Sequence, residues 1–165
     1  MSATEYEEFE ASAVPGYAEE KVKAGTWTRE ESLARAREVF AELLPDGPAS
    51  PDNHLFTARD VRGGRPVARL WFALSGEPGR REAYIYDIAV EAGLRGRGYG
   101  RATMTAGIEA ARRAGASSVG LHVFGSNKAA RSLYTSLGFS EIGVVMSLSL
   151  SLGASGDTAR AGPRH

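Results

Sequence analysis

Apolar positions along the first part of the chain recur with the period of a helix, and those beyond the Pro/Asp/Gly/Ser stretch after residue 45 recur with the period of a strand. Tyr6, Phe9 and Ala13 fall at helical spacing in an acidic segment that Val14-Pro15-Gly16 interrupts. Proline lacks a backbone donor and crowds the preceding turn, so a second helix is expected from Tyr17 to Lys23, ending at Gly25. The clearest helix follows in "TREESLARAREVFAELLPDG". There Thr28 and Glu31 have the spacing of a capping box, Leu33, Ala36, Phe40, Leu43 and Leu44 make one apolar stripe, and Pro45 forbids continuation.

The runs "HLFTARDV" and "PVARLWFALS" flank Gly63-Gly64 and predict a β-hairpin, and "EAYIYDIAV" predicts a third strand after the turn "GEPGRR". An arginine-glycine loop then opens a helix through Ala114, capped by Gly115. "SVGLHVF" reads as a strand, and "NKAARSLYTSLGF" as a helix from Asn127 to Gly138. In "MSLSLSL", Met146, Leu148, Leu150 and Leu152 share one face and serines the other, a strand with one wet face. The domain is expected to span residues 1–152, with residues 153–165, "GASGDTARAGPRH", as a flexible tail. Without internal repeats, helices followed by β-β-β-α-β-α-β imply an α/β or α+β fold.

Composition narrows the function classes. The 165 residues suit one domain, and no cysteine is present for disulfides or thiolate metal sites. His54, His122 and His165 have no metal-ligand spacing, so no metal is expected. Twenty basic and twenty acidic residues balance, which gives no overall pull toward nucleic acid. "MSATEYEEFE" has neither the basic nor the apolar region of a signal peptide, and no long apolar run follows. The expectation is a soluble, cytoplasmic protein with no membrane partner.

Chemistry concentrates in "GLRGRGYGRA", from Gly93 to Ala102. Glycines let a backbone approach a ligand closely, arginines supply cationic forks, and a helix N-terminus attracts phosphate. A dinucleotide fingerprint would need glycine where Arg101 stands, and the Gly-Lys-Ser/Thr of a P-loop is absent. A nucleotide-binding regulator is therefore disfavoured.

Arg95-Gly96-Arg97-Gly98-Tyr99-Gly100, directly after a strand, resembles motif A of the GCN5-related N-acetyltransferase (GNAT) superfamily, Gln/Arg-x-x-Gly-x-Gly/Ala. Asn127, Ala129 or Ala130, Tyr134 and Gly138-Phe139 match its second motif, and the two motifs are specific together. The resemblance covers roughly Thr4 to Leu150 and is closest to small bacterial members. It implies a mixed, mostly antiparallel sheet, splayed between the fourth and fifth family strands, with helices on both faces. It implies acetyl-CoA as cofactor and a primary amine, on a small molecule or peptide, as acceptor. The N–H groups of Arg97, Gly98, Tyr99 and Gly100, with Arg95, Gly96 and Arg101, would cradle the pyrophosphate. The strand end Ile88-Ala89-Val90 would bond the pantetheine like an added strand, and Asn127, Ala130 and Leu133 would line the other side. Tyr134 would protonate the departing thiolate, and a backbone N–H near Ala89 would meet the developing oxyanion.

The general base stays open, since family members use glutamate, aspartate or a water chain. Asp87 is a charge in an otherwise apolar strand, His122 sits within the strand "GLHVF", and Glu82 is a third candidate. Asp87 and His122 also each have a reading as a structural hydrogen-bonding residue. Alternation sets Asp87 on the face opposite Tyr84, Tyr86 and Ile88 unless a bulge intervenes. Acidic residues near Tyr17 and Trp27 would, by the resemblance, wall the acceptor. The family's first strand looks missing, which would leave a sheet edge free for a homodimer. The rival from another class is a non-catalytic acyl-CoA-binding module, which would need neither Tyr134 nor a base.

Overall fold

The structure, a computed structural model, describes residues 1–146. Past Met146, the strand expected to reach Leu152 and the tail at residues 153–165 lie outside the described residues. Among the described residues no helix is long and apolar enough to cross a membrane.

Helix α1 runs from Ala3 to Lys23 without a break, capped by a Ser2–Glu5 box. Pro15 therefore lies inside one helix and does not divide two. A mid-helix proline costs roughly 3 kcal/mol. Phe9, Ala13, Val14 and Ala18, on both sides of it, are all buried along one face, and that burial offsets the cost. Helix α2, Arg29–Leu43, begins at the Thr28–Glu31 box as its sequence demands. It packs along Ser32, Ala36 and Phe40, which leaves Leu33 at the margin of the stripe and 39% exposed.

Strands β1 (Asn53–Arg59), β2 (Pro66–Ser75) and β3 (Arg81–Val90) form an antiparallel meander. Helix α3 (Tyr99–Arg113) then crosses to β4 (Ala116–Leu121), which pairs parallel to β3, and α4 (Lys128–Ser136) follows. The order β1-β2-β3-β4 is the mixed, mostly antiparallel sheet expected. No strand precedes α1 among the described residues, so β1 is an edge of the sheet that those residues form. The Met1 amino group donates to the Leu55 carbonyl at 3.2 Å, so the start of the chain covers part of β1.

The two sheet faces carry separate cores. On one, Phe9 and Phe40 from the helices close over Leu55 and Trp71, with Trp71 Nε1 donating to Asn53 Oδ1 at 2.8 Å. On the other, Leu70, Phe72, Ile85, Met104 and Ala111 pack beneath α3, with Leu133 and Tyr134 of α4 at the margin. Gly107 permits that second core, because a Cβ there would overlap Leu70 Cδ2.

Two irregularities in β3 make the site. Trp71 pairs with Asp87 while Phe72 pairs with Ile85, so Tyr86 is the extra residue of a bulge. Pairing with β4 ends at Ile85–Leu121, so β3 continues from Tyr86 to Val90 without β4 beside it. The splay expected from the sequence is this separation.

Candidate active site

The splayed strands open a cleft of about 720 Å³, floored by β3 and bounded by α1, α2, the arginine-glycine loop and α4. Ile88, Ala89 and Val90 line it along the free length of β3, and Leu94, Arg95, Gly96 and Gly100 line the loop side. Asn127, Ala130, Leu133 and Tyr134 form the wall opposite. Nine residues expected at the cofactor site thus meet in one cavity, with Asp87 and Tyr134 as well.

The loop has the backbone shape its glycines allow. Gly96 and Gly98 have φ of 73° and 84°, left-handed values that side chains rarely adopt, with open space where a Cβ would stand. Gly98 is the N-cap of α3. The first helical bond runs from the Ala102 N–H to the Gly98 carbonyl at 3.1 Å, so Tyr99, Gly100 and Arg101 present N–H groups without an intrahelical acceptor. A Cβ on Gly100 would stand 3.5 Å from Leu133 and 3.7 Å from Val90, so glycine keeps the gap between loop, β3 and α4 open. These features fit a pyrophosphate on the helix N-terminus followed by an extended amide chain along β3.

The side chains of the motif are distributed differently. Arg95 Nε reaches the Val90 carbonyl at 3.5 Å and lines the cleft. Tyr99 turns away, its Oη donating to Asp60 Oδ2 at 2.8 Å and tying the loop to the β1–β2 turn. Arg101 Nη2 donates to Ser136 Oγ at 2.6 Å, which fastens α3 to α4. Arg97 lies outside the cleft, in a shallow depression beside Arg65 and Glu91. Asn127 is the N-cap of α4, accepting from the Ala130 N–H at 3.1 Å.

Among the candidate acid–base groups, the structure separates those at the cleft from those away from it. Tyr134 is half-buried in the α4 wall, and burial, with the Asp87 charge second, raises its phenol above the usual 10. Asp87 shares the cleft, but Arg69 holds it: Nε donates to Oδ2 at 2.7 Å and Nη2 to Oδ1 at 3.5 Å. The same guanidinium donates to Ser12 Oγ at 2.7 Å and lies over the Phe9 ring. The bulge corrects the simple alternation. Asp87 stands opposite Trp71, the residue on which Tyr86 stacks at 4.7 Å, so Asp87 and Tyr86 share the α1 side, and Ile88, opposite Leu70, faces the other. His122 is not mid-strand, because β4 ends at Leu121. Its exposed ring packs edge-on to Phe124 at 5.1 Å and is not part of the cleft wall. Glu82 is exposed near Gly120, toward the opposite end of β3.

The α1 side of the cleft holds Tyr17 and the acidic Glu20, in the region where the resemblance implied an acceptor wall. Gly16 from α1, Val39 and Phe40 from α2, and Tyr86 line it with them, and the sequence did not point to these four. Tyr17 packs edge-on to Trp27 at 5.5 Å and near Phe40 at 6.1 Å, with Lys21 Nζ 5.1 Å from its ring centre. Ala13, Gly16, Tyr17 and Glu20 are spaced as one helical face, a signal obscured by expecting a helix break at Pro15.

Comparison with known proteins agrees with this geometry. Residues 17–139 match the family model for the acetyltransferase (GNAT) family. The chain is 39% identical over 150 residues to the uncharacterized N-acetyltransferase YycN of Bacillus subtilis, covering 91% of this chain and 96% of that one. The crystal structure of YycN matches with a TM-score of 0.85 over 91% of this chain and 95% of its own. A mycothiol acetyltransferase of Propionibacterium freudenreichii is 34% identical over 88 residues, 53% of this chain and 28% of that protein. With its splayed mixed sheet and glycine loop, the chain belongs to the GNAT acetyltransferase family, whose members are acyltransferases.

Proposed function

We propose that this chain moves an acetyl group from acetyl-CoA to a primary amine by direct attack of the amine. The observation that carries this reading is the free length of β3, running from the bulge at Tyr86 to the glycine loop with Tyr134 in the facing wall. Acetyl-CoA would supply an acyl thioester. The Tyr99, Gly100 and Arg101 N–H groups and Arg95 bind the pyrophosphate, where the α3 dipole also favours negative charge. Backbone groups of Ile88, Ala89 and Val90 hold the pantetheine amides, and Leu133 and Ala130 exclude water from it. A phenol pushed above its usual range by burial stays protonated at neutral pH, so Tyr134 Oη holds a proton for the departing sulfur. Asp87, with both oxygens on Arg69, orients the cleft floor and keeps that phenol protonated. The amine yields its proton to solvent at the open rim, and His122 and Glu82, away from the cleft, take no part. A homodimer across the uncovered part of β1 remains part of this reading, and light scattering at high concentration tests it.

Coenzyme A should raise the melting temperature by several degrees at a hundredfold excess over its Kd, corresponding to about 2.7 kcal/mol. ATP shares the phosphates but lacks the pantetheine, so it should act far less. Equal shifts from both would remove β3 from the binding site. Thiol release from acetyl-CoA on adding an amine panel then checks transfer directly.

A further inference from the structure

Resting on the acetyl-transfer reading, we infer that the acceptor is a small primary amine carried on an apolar, aromatic body and lacking a carboxylate near the amine. The α1 end of the cleft is built from Tyr17, Phe40, Trp71 and Tyr86, with Val39 and Leu43 beside them. Phe40 and Trp71 are buried in the core, which fixes this surface, while Tyr86, stacked on Trp71, is 43% exposed and presents its ring to the opening. Such a surface favours apolar and aromatic groups and the face-on approach of a cation.

The charges of this end decide the rest. Arg69 is committed to Asp87 and Ser12, so its cation is already neutralised. Arg95 lies at the loop end, on the Val90 carbonyl. Lys21 lies over Tyr17 and Trp27 and is not part of the cleft wall. The remaining ionic group on this side is Glu20, which takes no ion-pair partner among the described residues, in contrast to neighbouring Glu19 with Lys23 and Arg29. An arriving ammonium finds a carboxylate at the rim. An amino acid's carboxylate finds repulsion from Glu20 and, among the described residues lining this side, no free cation to hold it.

Gly16 sets the room available. It lies mid-helix, where glycine costs about 1 kcal/mol relative to alanine, and nothing stands within 4 Å of where its Cβ would be. The gap lies at the cleft, so the missing side chain leaves space for a ligand. The whole cavity, about 720 Å³, must also take the pantetheine end, which leaves a share suited to a small molecule.

The test compares 2-phenylethylamine with L-phenylalanine, which adds only the carboxylate, and with 1,4-diaminobutane, which lacks the ring. Steady-state thiol release from acetyl-CoA is the readout, with coenzyme A affinity measured separately by calorimetry. The expected result is a kcat/KM for 2-phenylethylamine at least tenfold above either competitor. Glu20→Gln should raise its KM about tenfold with kcat and coenzyme A affinity retained, and should narrow the preference over phenylalanine. Gly16→Leu should cut kcat/KM at least tenfold with coenzyme A affinity unchanged, and Gly16→Ala, the milder change, should fall between. Equal or faster turnover of phenylalanine or diaminobutane overturns the inference, as does coenzyme A binding without turnover of 2-phenylethylamine. Absence of coenzyme A binding overturns the acetyl-transfer reading instead. In that case calorimetry with 2-phenylethylamine alone still decides the pocket: binding abolished by Gly16→Leu supports it, and no binding overturns it.

Discussion

The loop side of the cleft is made chiefly of backbone, whereas the α1 side is made chiefly of side chains from four separate elements. On the loop side, Gly96 and Gly98 hold left-handed conformations and the first turn of α3 offers its N–H groups. In the proposed reading those groups recognise features common to every acyl-CoA, the phosphates and the amides. On the α1 side, Tyr17, Glu20, Phe40 and Tyr86 meet through packing of α1 and α2 on the bulged sheet. A backbone site tolerates changes of side chain but not of glycine. A side-chain site can be altered residue by residue while the fold stands, which is how one scaffold takes different acceptors.

The sharpest way to probe this contrast is at Tyr134, where the two sides meet. Tyr134→Phe keeps the ring in its packing and removes one O–H, so kcat should fall by about a hundredfold to ten-thousandfold where chemistry limits turnover. Coenzyme A affinity should stay close to that of the parent protein. Unchanged kcat with a rate-limiting chemical step would leave Tyr134 as a packing residue only.

A break on the loop side should hit the cofactor alone. Gly98→Val places a β-branched residue at φ 84°, a strain of roughly 1–3 kcal/mol. Relief of that strain shifts the loop, so the coenzyme A Kd should rise about tenfold or more, as 1.4 kcal/mol is one decade. Calorimetry that finds the same Kd would show that the loop is a turn and not a cradle.

Loosening the α1 side should do the reverse. Thr28→Ala removes the capping oxygen of α2 and should cost about 1 kcal/mol in denaturant unfolding. Amine KM should rise while coenzyme A affinity holds. A matched change in both constants would mean that the two sides are mechanically one.

The smallest effect concerns pH. The Tyr134 phenol is raised in the folded state, so the folded protein keeps its proton above pH 10 while the unfolded chain releases it. Stability from this group is therefore complete below pH 10 and is lost as pH rises through the folded value. His54 has the opposite sign, because burial lowers its value from 6.5, so stability falls as pH drops below 6.5. Urea titrations of the parent protein, Tyr134→Phe and His54→Gln across both windows check the two slopes. Parallel curves for all three proteins would contradict both assignments.

Legibility followed the range of the interactions involved. The Thr28–Glu31 cap, the β1–β2 hairpin, the α3 start at the glycine loop and the Asn127 cap are set by residues a few positions apart, and each stands where its sequence places it. The resemblance to the GNAT motifs likewise implied Ile88 to Val90, Arg95, Gly100, Asn127 and Leu133 as neighbours, and all of them line the cleft. Tertiary structure decided what local rules could not. Burial of Phe9, Val14 and Ala18 carried α1 through Pro15, and so brought Gly16 and Glu20 to the cleft. The bulge at Tyr86 turned Asp87 to the side of Arg69, and the end of β4 at Leu121 left His122 outside. A single chain segment encodes its own caps, turns and backbone conformations, because their partners lie within one turn or one hairpin. Which side of a strand a charge occupies, and which helix face meets a cleft, depends on free energy gained from partners tens of residues away.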